Sequence, residues 1–166
     1  MNQITISPLA DHMELEIFLE RRATPPYGEG IFTRHALKQG VRVITFTGPL
    51  LRPEQAPNDL HCLQIAPELY MGPSGNFDDY LNHSCEPNLG FVEGSLTLST
   101  LRDIAAGEQL NWDYSTAMNE PGWSFPCHCG AGSCRGVVRS FLELSLAEKK
   151  KLQTLTLAYL RTERTL

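Results

Sequence analysis

The segment CHCGAGSC (127–134) constrains the fold most, because it places three cysteines within eight residues in a C-x-C-x4-C pattern. It lies in the longer stretch NEPGWSFPCHCGAGSCRG (119–136), which has many turn-forming residues and little apolar periodicity. Such a loop has too few apolar side chains to order itself around a core. Cysteine thiolates at this spacing are typical of structural zinc sites, so we expect a metal to organise the loop.

The loop supplies only three thiolates, whereas a closed structural zinc site has four ligands. The candidates for the fourth are Cys85, Cys62 and His128. His128 lies between two of the other ligands, where a third successive contact would be strained. The odd number of cysteines and their tight clustering indicate metal binding in a reducing compartment rather than a secreted disulfide framework.

The composition is that of an ordinary globular domain. The chain has 166 residues, with 42% hydrophobic and 20% charged residues and a net charge of −5. That charge argues against direct nucleic-acid binding through phosphate contacts. No apolar run is long enough for a membrane span, and the start MNQITISPLA lacks a signal-peptide pattern. We therefore expect no membrane partner and a cytoplasmic, free-standing protein, which leaves a nuclear or effector role open.

Short strands separated by turns are predicted over most of the chain. They are rich in β-branched and aromatic residues and bounded by Gly, Pro and Asn. The predicted strands are LEIFL (15–19), GIFTR (30–34), VRVITF (41–46), LHCLQI (60–65), SLTLSTL (95–101) and EQLNWDY (108–114). In VRVITF, the alternation predicts that Val41, Val43 and Thr45 share one face.

One helix is predicted at the C-terminal end, over residues 145–162. Ser145 and Glu148 have the spacing of a capping box. Leu152, Leu155 and Tyr159 then follow at helical spacing. The predicted fold class is therefore mostly β (α+β), with a metal-bound loop and one C-terminal helix.

Three further features are weak when each is taken alone. Gly28 and Gly30 in GEGIF would permit close approach of a ligand to the backbone, although such a pair is more often a simple turn. Tyr114 and His83 are each more often structural than catalytic.

Taken in order along the chain, however, five segments resemble the successive motifs of the SET-domain protein-lysine methyltransferases, including a post-SET zinc motif. They are GEG (28–30), FTG (46–48), NHSCEPN (82–88), GEQLNWDY (107–114) and CHCGAGSCRG (127–136). The resemblance covers roughly residues 14 to 136. NHSCxPN and the terminal CxCx4CRG are its specific parts.

The resemblance implies a fold of small curved β-sheets with a C-terminal pseudoknot, which would bring Tyr114 and NHSC together. It implies a SET domain over residues 14–116 and a post-SET zinc loop over residues 123–140, followed by the helix at 145–162. In the family the zinc is held by four cysteines, which correspond here to Cys85, Cys127, Cys129 and Cys134.

The resemblance also implies S-adenosyl-L-methionine as the cofactor. Asn82 and His83 would hold it, while Gly28, Glu29 and Gly30 would approach it largely through backbone atoms. The implied activity is methyl transfer to a lysine amine in a protein substrate. Two alternatives remain: a catalytically silent SET module that binds a partner peptide, and a small zinc-binding interaction domain.

Tyr114 would be the catalytic tyrosine, with its hydroxyl at the transferring methyl group. Three positions depart from the family pattern. Asp79 stands where an arginine is common, and His61 stands where a tyrosine is usual. Trp112 replaces a smaller aromatic residue two positions before Tyr114. His61 and Trp112 would belong to the substrate lysine channel, so these changes bear on how many methyl groups are added.

Residues 76–120, which hold most of the implied site, contain eight acidic residues and one basic residue. One interpretation is an acidic surface that keeps the protein soluble. The other is that negative charge attracts basic peptides and speeds their encounter. The second interpretation predicts a protein or peptide partner whose lysine lies in a basic segment.

Overall fold

The structure, a computed structural model, describes residues 12–26, 28–56 and 62–161. These residues form twelve strands of at most five residues and three short α-helices. The strands are β1 (Leu19–Ala23), β2 (Glu29–Thr33), β3 (Arg42–Thr45), β4 (Leu50–Leu51), β5 (Leu63–Ala66), β6 (Leu69–Met71), β7 (Asn82–His83), β8 (Leu89–Phe91), β9 (Thr97–Thr100), β10 (Asn111–Trp112), β11 (Ser124–Pro126) and β12 (Val137–Arg139). The helices are α1 (His12–Phe18), α2 (Leu146–Leu152) and α3 (Ala158–Arg161). Among the described residues, none of these helices has the length and hydropathy of a membrane span.

The strands pair into small sheets rather than into one large sheet. β1 and β2 form an antiparallel pair, and two three-stranded antiparallel sheets follow the orders β3-β9-β8 and β4-β6-β5. β11 and β12 are antiparallel and flank the cysteine-rich loop. β7 and β10 pair in parallel. The predicted fold class, mostly β with small sheets, is confirmed.

Side chains from several sheets share one hydrophobic core, and a smaller core lies beneath α2 and α3. In the main core, five side chains without solvent exposure come from separate segments: Leu19, Ile31, Val43, Leu98 and Leu110. The smaller core contains Phe141, Leu144, Leu152 and Leu160. Full burial of one such side chain contributes about 1.5–3 kcal/mol, so side-chain packing rather than long ladders holds these short strands together.

The predicted strand at residues 15–19 is wrong. The chain is helical over His12–Phe18, and only Leu19 belongs to a strand. Leu15 and Leu19 are both buried, whereas Ile17 is 60% exposed. Two buried residues four apart with an exposed apolar residue between them fit a helical period rather than strand alternation.

The one-sided alternation predicted for residues 41–46 is also wrong. Val43 and Ile44 are adjacent and both buried. The pairing of β3 with β9 shifts register between Arg42 and Ile44. Such an irregularity breaks strict in-and-out alternation. The prediction at residues 60–65 is confirmed from Leu63 onward, while residues 60 and 61 lie outside the described residues.

The predicted strand at residues 108–114 is shorter than expected. Only Asn111–Trp112 is a strand, and Tyr114–Thr116 is a 3₁₀ turn. The side chain of Asp113 accepts a hydrogen bond from the Ser115 amide and caps this turn. Tyr114 therefore leaves the strand direction immediately after β10.

The predicted C-terminal helix is two helices. The capping box of Ser145 and Glu148 is present at the start of α2. α2 ends at Leu152, however, and α3 begins only at Ala158. Thr156 donates its hydroxyl to the carbonyl of Gln153, which gives the backbone a local alternative to the helical ladder.

The close approach of Gly48 to Gly72 predicts a large stability loss for Gly48→Ala. Gly48 has φ +141°, and an added Cβ would lie 2.0 Å from the Gly72 carbonyl oxygen. We expect urea unfolding to show a loss of more than about 2 kcal/mol. Gly40→Ala is the matched control, because Gly40 has φ +82° but no atom within 4 Å of the added Cβ. Equal losses in the two variants would contradict the steric argument.

Candidate active site and metal centre

The parallel pairing of β7 with β10 brings two separate motifs together. Asn82 faces Asn111, and His83 faces Trp112. Just beyond β10, the Tyr114 hydroxyl donates a 2.8 Å hydrogen bond to the carbonyl of Leu81. The expectation that Tyr114 meets the NHSC segment is therefore confirmed.

The imidazole of His83 is buried and lies between Tyr114 and Cys85. Its Nδ1 is 3.2 Å from the Tyr114 amide nitrogen, which donates to it. Its Nε2 is 3.3 Å from the Cys85 Sγ. Burial lowers the pKa of His83 to about 4, although the nearby Asp113 acts in the opposite direction. The ring is thus neutral at physiological pH.

A neutral imidazole has one N–H donor and one acceptor nitrogen. Because Nδ1 of His83 accepts from the Tyr114 amide, the proton lies on Nε2 and points to the Cys85 sulfur. The side chain therefore joins Tyr114 to the cysteine cluster. Both ring nitrogens of His83 are therefore engaged within the protein.

The structure brings Cys85 to the cysteine-rich loop. Its Sγ lies 3.8 Å from the Cys127 Sγ, and its amide donates to the Cys129 Sγ at 3.5 Å. The Arg135 amide donates to the Cys85 Sγ at 3.4 Å. Burial raises the pKa of the Cys85 thiol, although the bond from the Arg135 amide acts in the opposite direction. A bound zinc ion would favour the thiolate. The site fits a structural zinc ion in its donor chemistry.

Two sets of four ligands are available at this cluster. The ligand atoms of His83, Cys85, Cys127 and Cys129 lie within 4.8 Å of one another. Cys134 also reaches the cluster, since its Sγ lies 3.6 Å from the Cys127 carbonyl oxygen. Nε2 of His83 carries a proton and has no lone pair to offer. This favours Cys134, as the family resemblance implies. Of the other candidates, His128 is exposed, and Cys62 lies elsewhere, in the cavity described below.

A buried ion pair connects the loop to Asp113, which caps the 3₁₀ turn that begins at Tyr114. Both terminal nitrogens of Arg135 lie 2.8 Å from the carboxylate oxygens of Asp113. The Asp113 side chain is completely buried, and that of Arg135 is 14% exposed. Sequence reasoning missed this pair, although Arg135 is the arginine of the CRG motif.

The GEG segment is connected to Asn82. The Asn82 side-chain amide donates to the Glu29 carbonyl at 3.0 Å and to the Thr24 hydroxyl at 3.2 Å. A Cβ on Gly30 would lie 2.8 Å from the Asn82 Nδ2 and 2.4 Å from the Gln109 Nε2. The segment therefore packs closely against Asn82. Gly28 has φ +80°, a conformation that glycine favours.

A cavity opens beside Tyr114. Its lining combines aromatic, aliphatic and acidic residues: Phe46, Thr47, Cys62, Leu63, Met71, Gly72, Asp78, Asp79, Leu81, Trp112, Tyr114, Met118 and Trp123. Trp112 lines this cavity, with its ring centroid 4.8 Å from that of Tyr114. His61 lies outside the described residues. The sequence analysis did not identify Asp78 as a residue of this cavity. The one feature that could have indicated it is its position just before the NHSC segment, in DDYLNH.

The SET domain family model matches residues 28–115. The histone-lysine N-methyltransferase ash1 of Drosophila melanogaster is 28% identical over 138 residues, which cover 72% of this chain and 6% of that protein. The chain thus spans only a small part of the length of such curated relatives.

Among solved structures, KRYPTONITE in complex with mCHG DNA and SAH gives a TM-score of 0.62 at 26% identity, covering 74% of this chain and 29% of that chain. KRYPTONITE in complex with mCHH DNA, H3(1-15) peptide and SAH gives a TM-score of 0.60 at 24% identity, covering 74% and 30%. At 24% identity, the similarity to this second structure supports the fold only.

The Arg135–Asp113 pair predicts that Arg135→Met destabilises the zinc-loaded protein by about 3–5 kcal/mol, because it leaves a buried carboxylate without a cation. Urea unfolding measures the loss. The double variant Arg135→Met/Asp113→Asn removes that carboxylate and should recover more than about 1 kcal/mol. A double variant no more stable than the single one would contradict this explanation.

The cysteine cluster predicts one zinc per chain in reduced protein, measured by metal analysis. Cys85→Ser and Cys134→Ser should lose the zinc, while His83→Gln should keep it, because His83 donates to a ligand rather than binding the metal. Cys62→Ser is the matched control and should also keep the zinc. Zinc loss in His83→Gln together with retention in Cys134→Ser would assign the fourth ligand to His83 instead.

Proposed function

The chain belongs to the SET-domain family, and from that premise we propose that it transfers methyl groups from S-adenosylmethionine to the side-chain amine of lysine in a protein or peptide. The observation that carries the proposal is the meeting of Tyr114, β7 and the cavity. A zinc interaction module would need none of these three features. A peptide array with labelled cofactor tests the proposal, and the absence of label on every lysine peptide would contradict it.

We place the cofactor where the GEG segment meets β7. Gly28, Glu29 and Gly30 would contact it through backbone atoms, and Asn82 fixes these atoms by its bond to the Glu29 carbonyl. His83 would contribute main-chain atoms, since its ring is engaged with Tyr114 and Cys85. The KRYPTONITE structure that is 26% identical to this chain contains SAH, which supports a related cofactor here.

Two bound groups complete the site in this proposal. S-adenosylmethionine supplies a methyl group on a sulfonium centre. Zinc, held by Cys85 and the three loop cysteines, cross-links the loop to the rest of the domain.

The residues of the chain prepare the amine that receives the methyl group. Free lysine has a pKa of about 10.4, and its neutral form is favoured where the amine lies among the aromatic rings of the cavity, away from the acidic residues of the lining. The rings of Trp112, Tyr114 and Trp123 line the cavity and exclude water. Holding the amine in line with its target removes much of the entropic barrier.

Tyr114 orients the amine in this scheme. Burial raises the pKa of its hydroxyl, so the group stays protonated and donates to the Leu81 carbonyl. Its oxygen keeps lone pairs, which can accept an N–H of the substrate amine. The nitrogen lone pair is then free to face the methyl group.

A catalytically silent peptide-binding module is the second candidate. It is favoured by Trp112, whose large ring packs against Tyr114, Phe46 and Phe91 and occupies room beside the reacting position. Binding of a lysine peptide without methyl transfer in the array would select this candidate.

We propose that the substrate lysine lies in a basic segment, but that few of the acidic residues select it. Four of the eight acids in residues 76–120 have a cationic partner within the chain: Glu93, Asp103, Glu108 and Asp113. Asp78 and Asp79 line the cavity. Selection by charge would therefore act mainly at the cavity.

Tyr114→Phe is expected to lower kcat on a lysine peptide by about 100-fold or more, because orientation of the amine matters chiefly in the transition state. Binding of S-adenosylhomocysteine, measured by calorimetry, should change less than about three-fold. Tyr159→Phe is the matched control, because it removes a tyrosine hydroxyl that bonds the Ala117 carbonyl instead. If Tyr114→Phe kept the wild-type kcat, the catalytic role proposed for the Tyr114 hydroxyl would be wrong.

A further inference from the structure

We propose that Asp78 is the counter-charge for the lysine ammonium group that enters the cavity, and that it is a specificity-determining residue for cationic side chains. This inference rests on the proposed lysine methyltransferase function. It adds the group by which the site would distinguish lysine from an apolar side chain of equal length.

Asp78 lies in the cavity itself and not on an open acidic surface. It belongs to the 3₁₀ turn Phe77–Tyr80, just before β7. The residue lines the same cavity as Trp112 and Tyr114, and it is only 5% exposed. A carboxylate so well shielded from water attracts a cation in the cavity more strongly than a surface carboxylate would.

The carboxylate is held in place by neutral groups. Oδ2 accepts from the Thr47 amide at 2.9 Å, and Oδ1 accepts from the Ser74 hydroxyl at 2.6 Å. Each oxygen has further acceptor capacity. These bonds orient the Asp78 carboxylate and leave its oxygens able to accept further hydrogen bonds.

No lysine or arginine among residues 12–26, 28–56 and 62–161 forms an ion pair with Asp78. Burial raises the pKa of Asp78, against the hydrogen bonds from Ser74 and Thr47 that lower it. A buried carboxylate without a cation is costly. A cation that enters the cavity compensates it, and the substrate ammonium is such a cation.

The remaining cavity lining also fits a cationic peptide side chain. Phe46, Trp112, Tyr114 and Trp123 supply aromatic rings, whose faces attract cations. The indole Nε1 of Trp112 is buried and has no acceptor among the described residues.

The neighbouring Asp79 has a different role. Its carboxylate accepts from the amides of Ser74 and Gly75, at 3.0 and 2.6 Å. These bonds hold the turn in front of the 3₁₀ helix. Asp78 bonds this turn through the Ser74 hydroxyl, so Asp78→Asn tests charge recognition while keeping an acceptor for that bond.

The test compares a lysine peptide with the same peptide carrying norleucine, which has the same side-chain length without the ammonium. The peptide is the one most strongly methylated in the array, and calorimetry is done with S-adenosylhomocysteine present at constant ionic strength. The variants are Asp78→Asn, which keeps the size and hydrogen-bonding groups of the side chain, and Asp103→Asn. Asp103 is exposed, pairs with Lys38 and lies away from the cavity lining, so it controls for net charge.

Wild type should bind the lysine peptide about ten-fold or more tightly than the norleucine peptide. Asp78→Asn should lose most of this preference while binding the norleucine peptide as wild type does. Asp103→Asn should keep the preference. If Asp78→Asn weakens both peptides equally, Asp78 is structural and the inference is overturned.

Two outcomes separate this inference from the proposed function. A wild-type protein that methylates lysine but binds both peptides equally overturns the inference alone, and this comparison needs no variant to fold. If no lysine peptide is methylated, the proposed function fails. The small probes n-butylammonium and 1-butanol then measure the preference of the wild-type cavity for a cation, and equal binding of these probes also overturns the inference.

Discussion

The buried ion pair between Asp113 and Arg135 is the interaction on which the architecture of the candidate active site depends. Asp113 stands between Trp112 and Tyr114, and Arg135 follows the last cysteine of the loop. A completely buried carboxylate must be neutralised, and here the cation comes from a segment distant in sequence. Displacement of the loop would therefore leave the buried carboxylate of Asp113, beside Tyr114, without its cation.

Much of the site could be predicted because its residues occur as short motifs that each carry several roles. NHSC supplies Asn82, His83 and Cys85 in four residues, so their placement follows once the segment is identified. The three loop cysteines could be assigned to a metal from spacing alone, because thiolates so close together have few other uses. The capping box of Ser145 was predictable for a similar reason, since it depends on local geometry.

The features that could not be predicted depend on contacts between distant residues. α1 was mistaken for a strand, because the short apolar run LEIFL has no period of its own until Leu15 and Leu19 are known to be buried. The role of Arg135 requires knowing that Asp113 is buried. Asp78 resembles any surface acid in the sequence, and only the packing of Phe77–Tyr80 against the cavity makes it unusual.

The same contacts make the cysteine-rich loop part of the cavity lining rather than a separate module. Trp123, just before β11, lines the cavity, and the Phe125 ring lies 5.9 Å from that of Tyr114. β11 is held against β12 on either side of the cysteines, so metal binding, loop order and the aromatic lining form one cooperative unit. His83 extends this unit to Tyr114, since one neutral ring bonds both the Tyr114 amide and the Cys85 sulfur. Disorder of the cysteine-rich loop would therefore disturb both the cavity lining and the surroundings of Tyr114.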